Sequence, residues 1–135
     1  IGMAVSYFTR MMKRRCTVCL VSDFYIPNAD KEDAHFEHAL TIANHKHDIV
    51  AVQVYDQRAK TLPNIGLMKI RDAETGHEMY IDTSSAKLRH AHTMYWMERN
   101  SMLKQAFAKS GVDWTSVATD EDYVRAMMRL FAQRS

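Results

Sequence analysis

The two cysteines, Cys16 and Cys19, form a single Cys-x-x-Cys, a spacing able to hold zinc or to run thiol–disulfide exchange. The run around them, Cys16-Thr17-Val18-Cys19-Leu20-Val21-Ser22, is β-prone. On a strand, positions three apart point to opposite faces, so the two sulfurs diverge. No second cysteine pair completes a zinc site, and both residues are expected to be simple buried core. The chain also has seven histidines. His35 and His38 lie a helical turn apart and could share an ion, but no cysteine or acid is placed as a third ligand, so a solvated helix face is expected. Near His45, His47 precedes Asp48 at a strand start, where capping accounts for it. His92, close to His90, falls on an apolar stripe and reads as a satisfied core residue. Asp23 and Asp56 each follow an apolar run, and two such carboxylates could chelate Mg²⁺ in a phospho-acceptor or hydrolase. The sequence lacks a Gly-x-Ser-x-Gly elbow, a Gly-rich phosphate loop and a convincingly spaced Cys/His pair. The chain is therefore read as a non-enzyme.

The bulk composition is that of one ordinary domain: 135 residues, 47% hydrophobic and 25% charged, enough apolar material for a single core. Lysine and arginine number 18 against 16 acids, giving a formal net charge of +2. Both signs are scattered, so no concentrated field exists to hold a nucleic-acid backbone. No stretch approaches the apolar length of a membrane helix, and Ile1-Gly2-Met3 lacks the layout of a signal peptide. A cytoplasmic protein is expected, without nucleic-acid binding or membrane insertion. The chain starts without an initiator Met, inside an apparent helix, which suggests a piece of a longer protein.

The elements that position these residues follow from periodicity. Ala4 to Arg15 reads as a helix with Val5, Phe8, Met11 and Met12 inward and Lys13-Arg14-Arg15 at its carboxyl end. A strand covers Thr17 to Ser22. Asp30 reads as the N-cap, with Glu32 and Asp33 in the first turn, of a helix burying Phe36, Ala39, Leu40 and Ala43 and running to His45. Ile49 to Tyr55 is a nearly continuous apolar run, the pattern of a parallel strand covered on both faces. Strand, helix, strand makes a βαβ unit. After a polar loop, Leu67 to Arg71 and Glu78 to Asp82 alternate, with Met68 and Ile70 matched to Met79 and Ile81 across a turn that uses Asp72 and Gly76. A long helix begins near Asp82, Thr83 or Ser84, carries Leu88, His92, Tyr95, Trp96, Leu103 and Phe107 inward, and stops at Gly111. A strand at Trp114 to Ala118 precedes a last helix, capped within Thr119 to Asp122, that buries Tyr123, Met127, Leu130 and Phe131. The methionines, Met127 and Met128 among them, read as core filler.

The order of several short signatures resembles the von Willebrand factor A (vWA)-like family known as domain of unknown function fifty-eight. They are the basic cluster feeding a strand that ends in Ser22-Asp23-Phe24; Ala43-Asn44 with His47-Asp48-Ile49-Val50; Tyr55-Asp56; Leu62-Pro63 with Gly66; Arg71-Asp72-Ala73-Glu74-Thr75-Gly76; and Ser110-Gly111-Val112-Asp113 with Thr119-Asp120. The resemblance runs nearly end to end. It implies an α/β fold of three layers, a doubly wound, mostly parallel sheet with a β-hairpin, partial with respect to the vWA or Rossmann-like pattern. Residues 1–135 would be a single domain, the carboxy-terminal half of a vWA-like domain whose amino-terminal strands are absent. The implied role is metal-dependent protein binding in assembly or maturation of complexes, beside AAA+ ATPases of the MoxR type.

In vWA folds a divalent ion is held by an Asp-x-Ser-x-Ser motif, a Thr and an Asp following the fourth strand. Asp23 matches that last ligand, and an acid just past a buried parallel strand lies where open α/β sheets place their ligands. The chain has no Asp-x-Ser-x-Ser; Asp82-Thr83-Ser84-Ser85 has the wrong spacing and reads as a helix cap. Mg²⁺ or another divalent cation is therefore expected in a full-length parent, and none in this chain alone. The strand at 17–22 would keep an open edge, through which the chain is expected to self-associate or exchange elements. A metal-independent structural adaptor is the alternative reading.

Overall fold

The computed structural model describes residues 1–25, 29–72 and 75–134, and for residues 29–34 the backbone alone. Along the chain run α1 (Gly2–Met11), β1 (Thr17–Ser22), α2 (Ala29–Lys46), β2 (Asp48–Tyr55), α3 (Gln57–Lys60), β3 (Leu67–Arg71), β4 (Glu78–Asp82), α4 (Ala86–Ser110), β5 (Asp113–Ala118) and α5 (Tyr123–Ala132). The fold is mixed α/β, with a three-stranded parallel sheet and a separate antiparallel hairpin. Two compact units are present, one of residues Ile1–Tyr55 with Ser101–Ser135, the other Asp56–Asn100.

The first unit holds the parallel sheet in the order β1-β2-β5. Central β2 is buried along most of its length, as its nearly continuous apolar run requires. Side chains alternate across it. Ile49 and Ala51 face one way, with Val18 and Leu20 of β1 and Trp114 of β5, against Val5, Phe36, Ala39, Leu40, Ala43, Leu103 and Phe107. Val52 and Val54 face the other, with Val117, against Ala126 and Met127 of α5. Helices thus cover both faces, and the four predicted inward residues of α2 are all buried. The predicted cap at Asp30 and the first-turn acids Glu32 and Asp33 lie outside the described side chains.

Several expectations need correction. α1 ends at Met11, because Met12 already has extended backbone (ψ 112°), so Lys13 to Arg15 lead into β1 instead of closing the helix. Its buried stripe is Gly2, Val5 and Thr9, small residues that let it approach α2, while Met11 is exposed. A Cβ on Gly2 would lie 2.9 Å from the His35 ring. The two cysteines are not core: Cys19 is exposed and Cys16 half-buried. The cause is the position of β1 at the sheet edge, where among the described residues no helix covers its odd-numbered side, leaving Val21 63% exposed. α5 buries Ala126 and Leu130, and Tyr123, Met128 and Phe131 remain exposed. Small Ala126 draws the helix onto β2 and β5 along a narrow stripe.

In the second unit the hairpin pairs Met68 with Ile81 and Ile70 with Met79, the predicted register. Its turn is built by Asp72, whose carboxylate accepts from the Thr75 N–H at 2.9 Å, and by Gly76 at φ 71°. Thr83 is fully buried; its hydroxyl donates to the Gly66 carbonyl at 2.6 Å and accepts from the Ile65 N–H at 3.1 Å. That bond leaves the helix cap to Ser85, which accepts from the Leu88 N–H at 3.3 Å. α3 falls in what reads as polar loop. At the far end of α4, Gly111 takes φ 66° and stops the helix as predicted. Within α4, Leu103 and Phe107 are buried, whereas Tyr95 is 55% exposed.

Candidate functional site

Open parallel sheets gather ligands at the carboxyl ends of their strands, where loops diverge and backbone groups run out of partners. In this sheet β1 ends at Ser22 in register with Gln53 of β2, and Gln53 pairs in turn with Ser116 of β5. A polar row, Ser22, Gln53 and Ser116, therefore crosses the sheet directly above the apolar rows. Gln53 is 6% exposed, and among the described residues its Oε1 has no donor. A buried acceptor left without a partner costs about 1–3 kcal/mol, which makes this edge of the sheet the place to look for a ligand.

Asp23 follows Ser22 and is exposed. Its Oδ1 accepts from the Tyr25 N–H at 3.1 Å and from the Ser22 hydroxyl at 3.4 Å, while Ser22 Oγ accepts from the Phe24 N–H at 3.0 Å. Phe24 sits at φ 52°, a left-handed conformation unfavourable for a bulky side chain. Packing holds it there: the ring is 4% exposed and meets Phe107 edge-on, centroids 5.2 Å apart. Phe24 thus enters the core while Asp23 is exposed to solvent.

At the end of β2, Tyr55 has its phenol pushed above the usual range, first by partial burial and then by the charges of Glu121 and Asp120. The Tyr55 carbonyl accepts from the Thr119 N–H at 2.9 Å, and Glu121 accepts from the Ala118 N–H at 3.2 Å, which ties the loop after β5 to the sheet. Asp122 caps α5 through the Val124 N–H at 3.0 Å; the acids precede the helix and do not lie in its first turn. Asp56 is occupied likewise, its Oδ1 accepting from the Arg58 N–H at 2.7 Å to cap α3.

The histidines are dispersed. His35 and His38 are exposed on α2, and half-buried His92 places Nε2 2.9 Å from the Ala59 carbonyl oxygen. His47, by contrast, is completely buried, with Nδ1 3.4 Å from Cys16 Sγ. Thirty-one positions separate that pair, which hid it from any reading by local spacing. Among the described residues no group of three His, Cys, Asp or Glu side chains is placed to hold a metal ion. No helix among them is long and apolar enough to cross a membrane.

The sequence profile of the family described as "Protein of unknown function DUF58" matches residues 1–101. An uncharacterized protein of Mycobacterium avium is 26% identical over 133 residues, covering 97% of this chain and 73% of that protein. Uncharacterized proteins of Mycobacterium bovis and Mycobacterium tuberculosis are 25% identical over 136 residues, covering 99% of this chain. The chain spans only 40% of the length of those two relatives. No solved structure matches it significantly.

Proposed function

The chain belongs to the DUF58 family of proteins of unknown function, and from that premise we propose that it is a vWA-like protein-binding module, not an enzyme. The observation that carries the reading is Asp23, exposed at the carboxyl end of β1 just before the left-handed Phe24, and next to Ser22 of the polar row that contains the unpartnered Gln53 oxygen. The order β1-β2-β5 agrees with the last three strands of the vWA order 3-2-1-4-5-6, and helices on both faces agree with a doubly wound, Rossmann-like sheet.

In a longer parent, Asp23 would contribute to a divalent-cation site of the Mg²⁺ type. The donor set fits in kind: a carboxylate, the Ser22 hydroxyl and an amide oxygen are the hard oxygens such an ion takes. It does not fit in number, because octahedral Mg²⁺ needs about six ligands, so further donors must come from other residues. An ion held there would present an open position to an acidic side chain of a protein partner. A MoxR-type AAA+ ATPase acting in assembly or maturation of complexes is the partner class that the family resemblance favours, and a cytoplasmic setting goes with it.

The metal-independent adaptor is the second reading. An inward-facing Asp23 in a salt bridge would have favoured it; the carboxylate instead faces solvent. Calorimetric titration of Mg²⁺ into the longest form of the protein tests the choice. Binding that disappears in Asp23→Asn supports the metal-dependent module. Absence of binding in both forms removes the metal and leaves the adaptor.

A further inference from the structure

The contact between Cys16 and His47 lies at the opposite, amino end of the same strands. Cys16 occupies the last position before β1, its carbonyl accepting from the Asp48 N–H at 2.9 Å, so the backbone pairing that starts β2 beside β1 sets the sulfur against the imidazole. His47 is fixed: it is completely buried, and the Phe8 ring lies against it with centroids 5.2 Å apart. In the tautomer whose Nδ1 accepts from the thiol, Nε2 carries the hydrogen, and among the described residues it has no acceptor. A simple core histidine would satisfy both nitrogens. Cys16 itself is half-buried and is preceded by Lys13, Arg14 and Arg15, all exposed. A thiol in contact with an imidazole and next in sequence to a cationic segment is a setting in which cysteines exchange with disulfides.

We propose that Cys16 is a thiol–disulfide exchange site that takes anionic disulfides of low-molecular-mass thiols, with His47 accepting its proton. In the reaction Cys16 Sγ attacks one sulfur of the disulfide and forms a new S–S bond. The original S–S bond breaks, and its electron pair leaves on the departing thiolate. The Cys16 proton passes to His47 Nδ1 and from there to the departing thiolate or solvent. The incoming disulfide is the oxidant, so no other redox partner is needed. Cys19 takes no part: it projects from the exposed side of β1.

Cys19 supplies an internal comparison. Dithiobis-nitrobenzoate, an anionic aromatic disulfide whose released thiolate is coloured, would be reacted with dilute native chain, with Cys19→Ser and with Cys16→Ser, and the modified peptides mapped by mass. Cys16 should react about tenfold faster than the more exposed Cys19, and the difference should vanish in urea. Adding His47→Gln to Cys19→Ser should bring Cys16 down to the rate of Cys19, while the same change in Cys16→Ser leaves Cys19 unaltered. Faster reaction at Cys19 in the native chain, or a Cys16 rate indifferent to His47→Gln, overturns the assignment. If His47→Gln does not fold, the ranking in the native chain against the urea-unfolded chain decides alone.

Discussion

Asn44 and Gly111 are joined side chain to backbone: the Asn44 amide donates to the Gly111 carbonyl at 2.7 Å and to the Ser110 carbonyl at 3.2 Å, while its Oδ1 accepts from the Ile49 N–H at 3.1 Å. One side chain thus terminates α4, positions the turn into β5 and starts the pairing of β2. Both residues belong to the signatures that carry the family resemblance, so these signatures mark a joint of the fold. Asn44→Ala, which deletes all three bonds, should destabilise the chain by about 2–3 kcal/mol, read from the urea midpoint at unchanged slope. Gly111→Ala should cost about 1 kcal/mol or more, because φ 66° resists a Cβ even though the added carbon would meet Asn44 Nδ2 at an ordinary contact of 3.4 Å.

Element order, the register of the hairpin and the inward face of α2 were legible because each is written locally, in a period or a turn residue. The faces of α1 and α5 were legible only in part: Val5, Met127 and Leu130 pack inward as expected, but the rest of each stripe depends on how closely small residues such as Gly2 and Ala126 let a helix approach. Cys19 misled for the same reason: an apolar strand reads as buried until the sheet order shows that it lies at an edge. Asp23 was found from its place after a strand. The polar row through Gln53 needed the cross-strand register, and Cys16 with His47 needed the pairing of two strand starts.

Gln53 separates a packing role from a ligand role. Gln53→Met keeps the volume and removes the orphan acceptor, so stability should stay within about 1 kcal/mol of the parent or rise. If Gln53 Oε1 serves the cation, Mg²⁺ affinity in the longest form of the protein should fall in the same variant. A large loss of stability would instead show that Gln53 is structural.

Arg134 ties the amino ends of two strands together, pairing with Asp48 of β2 and, through Nε at 2.8 Å, with Asp113 of β5. The two carboxylates hold the guanidinium charged. Its side chain is 22% exposed, so screening is partial, and Arg134→Ala should cost about 1 kcal/mol, shrinking as salt is raised. Hydrogen exchange should show the end of α5 opening first.

Tyr55 gives a signature at alkaline pH. Its phenol is raised by burial and by Glu121 and Asp120, so the folded chain holds the proton more tightly than the unfolded chain. The corresponding stability is fully present below the ordinary phenol value, about 10, and is lost as pH rises through the folded value. Tyr55→Phe should flatten that alkaline loss in a thermal-melt series. Glu121→Gln should lower the titration midpoint of the Tyr55 phenolate absorbance, burial being untouched.

The β1 edge carries the last expectation. Thr17 to Ser22 pairs with β2 on one side only, and its exposed side presents Cys19 and Val21 without a covering helix. An unpaired strand edge with apolar side chains is a template for another strand. The chain should therefore associate as its concentration rises, in light scattering under reducing conditions. Val21→Lys places a charge on that edge and should return the chain to a monomer without lowering its melting temperature, since Val21 is 63% exposed. A chain already monomeric at high concentration would mean that the edge is closed in solution and that the exposure of Val21 has another use.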